Sequence, residues 1–237
     1  MPIDDVDKLR AAYVDFQHDP LANFIVNVRR TRAGQIRTLL ADPESLPDVE
    51  MFDREVWRIE SRTYLHSHRI ELQLFFKYYE QTKLLKTMAE QKLKIHDLEK
   101  ALLAGQLELH GNYIFGQSTG IFAPMIKDQA LKFSLLKQAL HTFNDETLTP
   151  QEQALRVYNT KGFGENNATG LGMIFHPDAI GLVNGATRDI MRKMGYQTEK
   201  TPSWQNLQVV LRSLHILLNT RDFIELDWFL YLYGRSL

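Results

Sequence analysis

The sequence predicts a mainly α-helical protein: a helical bundle that contains a helix-hairpin-helix, with a small β-hairpin near residues 107–122. Apolar residues recur at three- and four-residue spacing along most of the 237 residues. Hydrophobic residues make up 44% of the chain, which is enough for a sizeable core. The chain has no cysteine, which excludes disulfides and thiolate metal sites. We therefore expect packing alone to hold the bundle together.

Residues 1–105 are expected to form an N-terminal helical part. Within it, residues 21–41 have apolar positions at helical spacing and no acidic side chain, and they include Arg29, Arg30 and Arg32. This pattern predicts a basic helix face. Its arginines either contact phosphates or simply solvate the helix.

The next segments alternate between helical and irregular patterns. Residues 42–60 carry seven carboxylates and a short amphipathic helix, and a longer helical pattern over residues 67–103 ends at Gly105 as a C-terminal cap. Glycine, threonine and aromatic residues then dominate residues 107–122, which favours a hairpin or a loop. We place a boundary here, with residues 106–237 as the helix-hairpin-helix part, although both parts could also form one continuous domain.

Helical patterns return after this boundary. One covers residues 127–142, and Thr149 followed by Pro150 then supplies an N-cap and a proline at the first helical position. Residues 223–233 are apolar nearly all round, so they form either a core helix or an interface to another domain.

The most informative segment begins at Pro150. Its helix should end near Lys161, the glycines of Gly162-Phe-Gly164 allow a tight turn, and a second helix should start at Glu165. Such a turn exposes N–H groups at a helix N-terminus, where a phosphate can bind, often with a monovalent cation. The alternative is that the two glycines only allow the helices to pack closely.

The register of this segment resembles that of the endonuclease III-like superfamily of DNA glycosylases. Gly162, Gly164 and Ala168 are followed by a helix to Phe175, an extended apolar stretch, and a helix that ends at Met194-Gly195. The resemblance implies binding of double-stranded DNA. The side chains expected at the DNA are those of the turn and the helix starts near it, with the basic face added: Lys161, Gly162, Phe163, Gly164, Asn166, Asn167, Thr169, Asn184, Thr187, Arg188, Arg29, Arg30 and Arg32.

The chain departs from that family at Asn184, which occupies the position of the family's catalytic aspartate. A neutral amide neither stabilises a cationic sugar nor activates a nucleophile well, and no lysine follows Gly164 in the turn. We therefore expect a DNA-binding specificity module without catalysis. Two alternatives stay open: an active glycosylase or lyase that uses Asp178, and a helical scaffold for protein interactions.

A looser resemblance points to N-terminal regions of AAA+ ATPases from McrBC-type, modification-dependent restriction systems. It depends on the short segments Phe52-Asp-Arg-Glu-Val-Trp57, residues 162–169, and His176-Pro177 followed by Asn184. It implies recognition of duplex DNA, with a modified or flipped base as one option. The chain has no Walker A motif, so a AAA+ motor and a nuclease would belong to another domain or chain.

Charge and hydropathy restrict the cellular context. The net charge of −1 neither supports nor excludes a nucleic-acid partner. The acidic N-terminus lacks the apolar region of a signal peptide, and no stretch reaches the roughly 18 apolar residues that span a bilayer. We expect a cytoplasmic protein without a membrane partner.

Overall fold

Helices dominate the computed structural model, which confirms the mainly α fold. The structure describes residues 3–57, 63–65, 70–71, 95–115, 121–122, 125–196 and 203–236. Ten α-helices lie within these ranges: α1 (Ile3–His18), α2 (Pro20–Leu40), α3 (Val49–Phe52), α4 (Ile95–Leu103), α5 (Gln129–Phe143), α6 (Pro150–Asn159), α7 (Glu165–Phe175), α8 (Gly185–Lys193), α9 (Trp204–Leu218) and α10 (Phe223–Ser236). A 3-10 turn (Pro43–Ser45) precedes α3, and a π-helix (Asp53–Trp57) follows it.

Three short strands form a small antiparallel sheet in the order β2-β1-β3. They are β1 (Thr63–Leu65), β2 (Ile70–Glu71) and β3 (Leu107–Leu109). β3 pairs with β1, and the described residues 110–115 and 121–122 contain no second strand of the predicted hairpin, in line with the alternative prediction of a loop. The predicted helix over residues 67–103 is confirmed in α4 but is wrong at Ile70 and Glu71, which form β2, and residues 72–94 lie outside the described ranges.

Side-chain caps fix where most of these helices begin. At the start of each of seven helices, a side chain accepts a hydrogen bond from a backbone N–H of the first turn, which satisfies a group that the helix itself leaves free. The capping residues are Asp19, Asp48, Asp128, Thr149, Asn184, Ser203 and Asp222, for α2, α3, α5, α6, α8, α9 and α10 respectively. By contrast, α7 starts at Gly164 with no side-chain cap.

The core is organised around α2, which packs against α1, α4, α7 and α10. Its Phe24, Ile25 and Val28 are fully buried, and one continuous cluster of buried apolar residues extends from Leu9 to Leu230. Helices from both ends of the sequence therefore contribute to the same core. None of the helices in the described part of the chain combines the length and apolar character needed to cross a membrane.

The arginines of α2 face the interior, which corrects the predicted basic surface. Arg29 and Arg32 are only 2% and 7% exposed, and Arg30 has a side chain 22% exposed. Buried guanidinium groups require partners, and acidic residues distant in sequence supply them. Arg29 pairs with Asp227 at 2.5 Å, Arg30 with Asp222 at 2.5 Å and Glu225 at 2.8 Å, and Arg32 with Glu55 at 3.1 Å.

Glu225 is the most heavily paired of these acids. Burial would raise its pKa, but hydrogen bonds from Tyr13, Arg30 and Arg221 together hold that pKa below its ordinary value. The three donors come from α1, α2 and the residues just before α10. The cluster thus ties the first two helices to the last one.

Candidate functional site

The turn between α6 and α7 has the predicted boundaries, since α6 ends at Asn159 and α7 begins at Glu165. Gly162 has a φ of +89°, and an added Cβ would lie 2.5 Å from the ring of Phe122. Phe163 is buried and meets the same ring edge-on at 5.2 Å between centroids. Both residues pack against Phe122 on the buried side of the turn, so Phe163 is not placed to contact DNA.

The opposite side of the turn exposes the N-terminus of α7. Gly164 has φ −91° and ψ −177°, a conformation open to any residue, and an added Cβ would meet no atom within 4 Å. No described residue accepts a hydrogen bond from the backbone N–H of Glu165 or Asn166. Lys161 is exposed in the same turn. The Oδ1 atom of Asn166 is buried and has no hydrogen-bond partner among the described residues.

Asn184 is the N-cap of α8. Its Oδ1 accepts from the backbone N–H of Thr187 at 2.9 Å, while the Thr187 hydroxyl accepts from the Asn184 N–H at 3.4 Å and donates to the Leu182 carbonyl at 3.0 Å. Thr187 is 5% exposed, so its hydroxyl serves the helix start and not a ligand. The Nδ2 atom of Asn184 has no hydrogen-bond partner among the described residues.

The N-termini of α7 and α8 lie side by side. The Arg188 guanidinium binds the Glu165 carboxylate through two contacts, at 2.8 and 2.6 Å, and these hydrogen bonds raise the pKa of Arg188. Thr169 is fully buried, and its hydroxyl contacts the Glu165 carbonyl at 2.6 Å and the Val183 N–H at 2.9 Å. Thr169 therefore joins the two segments and is not available to a ligand, whereas Asn167 is half-buried in the first turn of α7.

Asp178 lies at the other end of α7. It is exposed in the turn that follows the helix, and the 11 residues of α7 separate it from the glycine turn. At 1.5 Å per residue this is roughly 16 Å. Chemistry at the α7 N-terminus is therefore out of reach of its carboxylate.

A cavity of about 490 Å³ opens beside the start of α8. Asn184 and Ala186 line it from α8, and Asp227 and Trp228 line it from α10. Arg29 of α2 adds a charged group to the wall, hydroxyl-bearing side chains of Tyr113, Thr187 and Tyr231 also line it, and the remaining lining is mostly apolar. Ala186 is exposed, which places it at the opening. Pockets of this size and character are typical of small-ligand sites.

Asp227 is the main acceptor in that wall. Burial raises its pKa, although Arg29 beside it acts in the opposite direction. Arg29 donates at 2.8 and 3.0 Å to the carbonyls of Tyr113 and Ile224, and at 2.5 Å to Oδ2 of Asp227. The other carboxylate oxygen, Oδ1, has no hydrogen-bond partner among the described residues.

Asp227 was missed at the sequence level, although a signal was present. Asp222, Glu225 and Asp227 interrupt an otherwise apolar segment, and α2 carries arginines without any acidic residue. Two apolar segments with opposite charges at spaced positions indicate buried ion pairs between them. Reading both segments together would have predicted this contact.

The chain matches no family model, no curated protein and no solved structure. Within the described ranges, no three histidine, aspartate or glutamate side chains come close enough together to hold a metal ion.

Proposed function

We propose that this protein is a DNA-binding specificity module that holds a backbone phosphate of duplex DNA at the N-terminus of α7. The observation that carries the proposal is the missing cap. Seven helices start with a capping side chain, whereas α7 starts at an exposed glycine that has room for one. Free N–H groups at the positive end of a helix bind anions, and phosphate is the anion that DNA repeats along its backbone.

The charges near the turn suit this role but are few. Lys161 is exposed, and Arg188 shares its charge with Glu165. The buried arginines of α2 make no contribution, which changes the expected salt dependence. With only one or two phosphates neutralised, the logarithm of the binding constant should fall with the logarithm of salt concentration at a slope of about −1 to −2.

The absence of catalysis is part of the proposal. An aspartate at position 184 would cap α8 as well as Asn184 does, so Asn184→Asp should fold normally. If Asn184→Asp releases a free base from modified or damaged duplex under single-turnover conditions, the chain is a glycosylase scaffold that lacks its acid. Weakened binding without base release would instead make the amide a recognition group.

Further support comes from the register between Gly164 and Asn184, which resembles that of DNA glycosylases. The looser resemblance to McrBC-type systems extends the proposal: a AAA+ motor and a nuclease, in another domain or chain, would act where this module binds. The bases it reads are then modified or extruded ones.

Fluorescence anisotropy with labelled duplexes tests the proposal. We would compare the unaltered protein with Lys161→Glu and with Lys8→Glu, a matched charge reversal at an exposed lysine of α1. Lys161→Glu should weaken binding about tenfold or more, since one charged hydrogen bond contributes about 1.5–3 kcal/mol. Lys8→Glu should have little effect. Unmodified, methylated, hydroxymethylated and abasic duplexes at two salt concentrations complete the panel, and no binding to any of them at low salt would refute the proposal.

A further inference from the structure

The polar wall of the cavity beside α8 contains a hydrogen-bond donor, Arg29, and an acceptor, Asp227. All three nitrogens of the Arg29 guanidinium already donate to protein oxygens: two backbone carbonyls and Oδ2 of Asp227. Three of its five N–H groups are therefore used within the protein, and Oδ1 of Asp227 remains as an acceptor beside the cavity. A ligand that satisfies this oxygen must donate a hydrogen bond.

The charge of the wall restricts the charge that a ligand can carry. Because Arg29 and Asp227 form a pair with no net charge, a cationic ligand would enter the cavity without a counter-charge, and a phosphate would face a carboxylate. A neutral ligand avoids both costs.

Aromatic and apolar side chains make up most of the rest of the wall, and such a lining suits a ring system. Trp228 and Tyr231 stack at 5.3 Å between centroids with an interplanar angle of 18°, and both line the cavity. The remaining lining, including Leu182 and Ile190, is largely apolar. On the α8 side, Nδ2 of Asn184 offers a donor for a ring nitrogen or a carbonyl.

We infer that the cavity binds a neutral, planar heterocycle with an exocyclic amine, the chemistry of an amino-bearing nucleobase, whose N–H donates to Oδ1 of Asp227. The inference rests on the proposed DNA-binding function only for the source of the base. An extruded nucleotide of a duplex and a free nucleoside present the same group to Asp227, and the experiment separates them.

The first arm uses two free ligands that differ only in the amine: 2-aminopurine riboside and purine riboside, measured by calorimetry. We expect the amine to improve affinity at least about tenfold, because purine riboside would leave the Asp227 oxygen without a donor. Ala186→Trp should abolish binding by blocking the opening, and since Ala186 is exposed this variant should fold. Ala11→Trp, at an exposed position of α1 outside the cavity, is the matched control.

The second arm places 2-aminopurine within a duplex, where its fluorescence rises when the base leaves the stack. A rise with the unaltered protein and with Ala11→Trp, but not with Ala186→Trp, identifies an extruded base as the ligand. Binding of the free riboside without this rise identifies a free nucleoside.

Any of three results would overturn the inference: equal affinity for the two ribosides, full binding by Ala186→Trp, or no riboside binding at all. For the last of these, concentrations up to about 1 mM would be tested, which is the weak end of specific affinity. These results leave duplex affinity untouched, so they are distinguishable from failure of the proposed function. That failure would appear as loss of duplex binding alone.

Discussion

Gly164 offers a test in which stability and DNA binding should change in opposite directions. Its backbone conformation and free surroundings allow Ala, Ser or Asp without strain. Ser and Asp would cap α7, so each should match or exceed the stability of the glycine protein by a few tenths of a kcal/mol. Ala provides a side chain without a cap and should cost up to about 1 kcal/mol. Urea denaturation would measure this series.

The DNA affinities should follow a different order. A capping side chain takes an N–H that the phosphate would use, and one such charged hydrogen bond is worth about 1.5–3 kcal/mol, or roughly 10- to 150-fold in affinity. Asp adds repulsion between two negative groups, which at about 4 Å costs about 1 kcal/mol in water and about 4 kcal/mol near a protein surface. We expect affinity to fall from Gly and Ala to Ser and then to Asp.

Anisotropy with one duplex at low salt would measure those affinities. Ala is the matched control, because it adds the Cβ without occupying the N–H groups. Unchanged affinity in the Ser and Asp variants, or affinity that follows the stability order, would show that the N-terminus of α7 does not bind phosphate.

Three further predictions concern the fold around the site. Gly162→Ala should cost at least about 2 kcal/mol of unfolding free energy in urea, because the new Cβ meets a ring and φ is positive. Gly185→Ala, whose Cβ meets no atom within 4 Å, should be neutral or slightly stabilising. Equal unfolding free energies for the two variants would contradict the role of the turn. Arg29→Met should lower the unfolding free energy by about 3–5 kcal/mol, because it leaves a buried carboxylate unpaired. Arg192→Met, at an exposed ion pair, should lower it by less than about 0.5 kcal/mol. A small change in both variants would argue against the buried pair. Because the pKa of Glu225 is depressed in the folded protein, this carboxylate stabilises the fold at pH values above its ordinary pKa of 4.5, and the stabilisation is lost as pH falls through the folded pKa. Glu225→Gln should therefore flatten the acid side of a plot of unfolding free energy against pH. An unchanged slope would exclude this carboxylate as a cause of the acid destabilisation.

Local signals in the sequence predicted the helices near the site well. The capping pair Thr149-Pro150, the glycine turn and Asn184 each determine a helix boundary through contacts within a few residues. Such contacts can be read from the sequence alone, because their partners are adjacent in it. The same holds for Gly105, whose φ of +67° follows the end of α4.

Contacts between distant residues were not predictable in the same way. The α2 arginines were assigned to a surface because no residue from 21 to 41 is acidic. Arg32 pairs with Glu55, 23 residues away, but Asp222, Glu225 and Asp227, the partners of Arg29 and Arg30, lie more than 190 residues away. The strand at Leu107–Leu109 was recognised, but its partner β1 lies about 40 residues earlier and not in the next turn. The cavity was missed for the same reason, since α2, α8 and α10 each supply part of its wall.

The pairing of Arg29 with Asp227 makes the cavity a property of the whole chain. These residues are 198 positions apart, and one of them lies on α2, around which the core is organised. A fragment covering residues 106–237 would lose both the guanidinium in the cavity wall and the centre of the core, so neither phosphate contact nor ligand binding should survive truncation. In the full chain, a ligand that binds only the folded protein would raise the melting temperature by mass action, because its contacts would join α2 to α10.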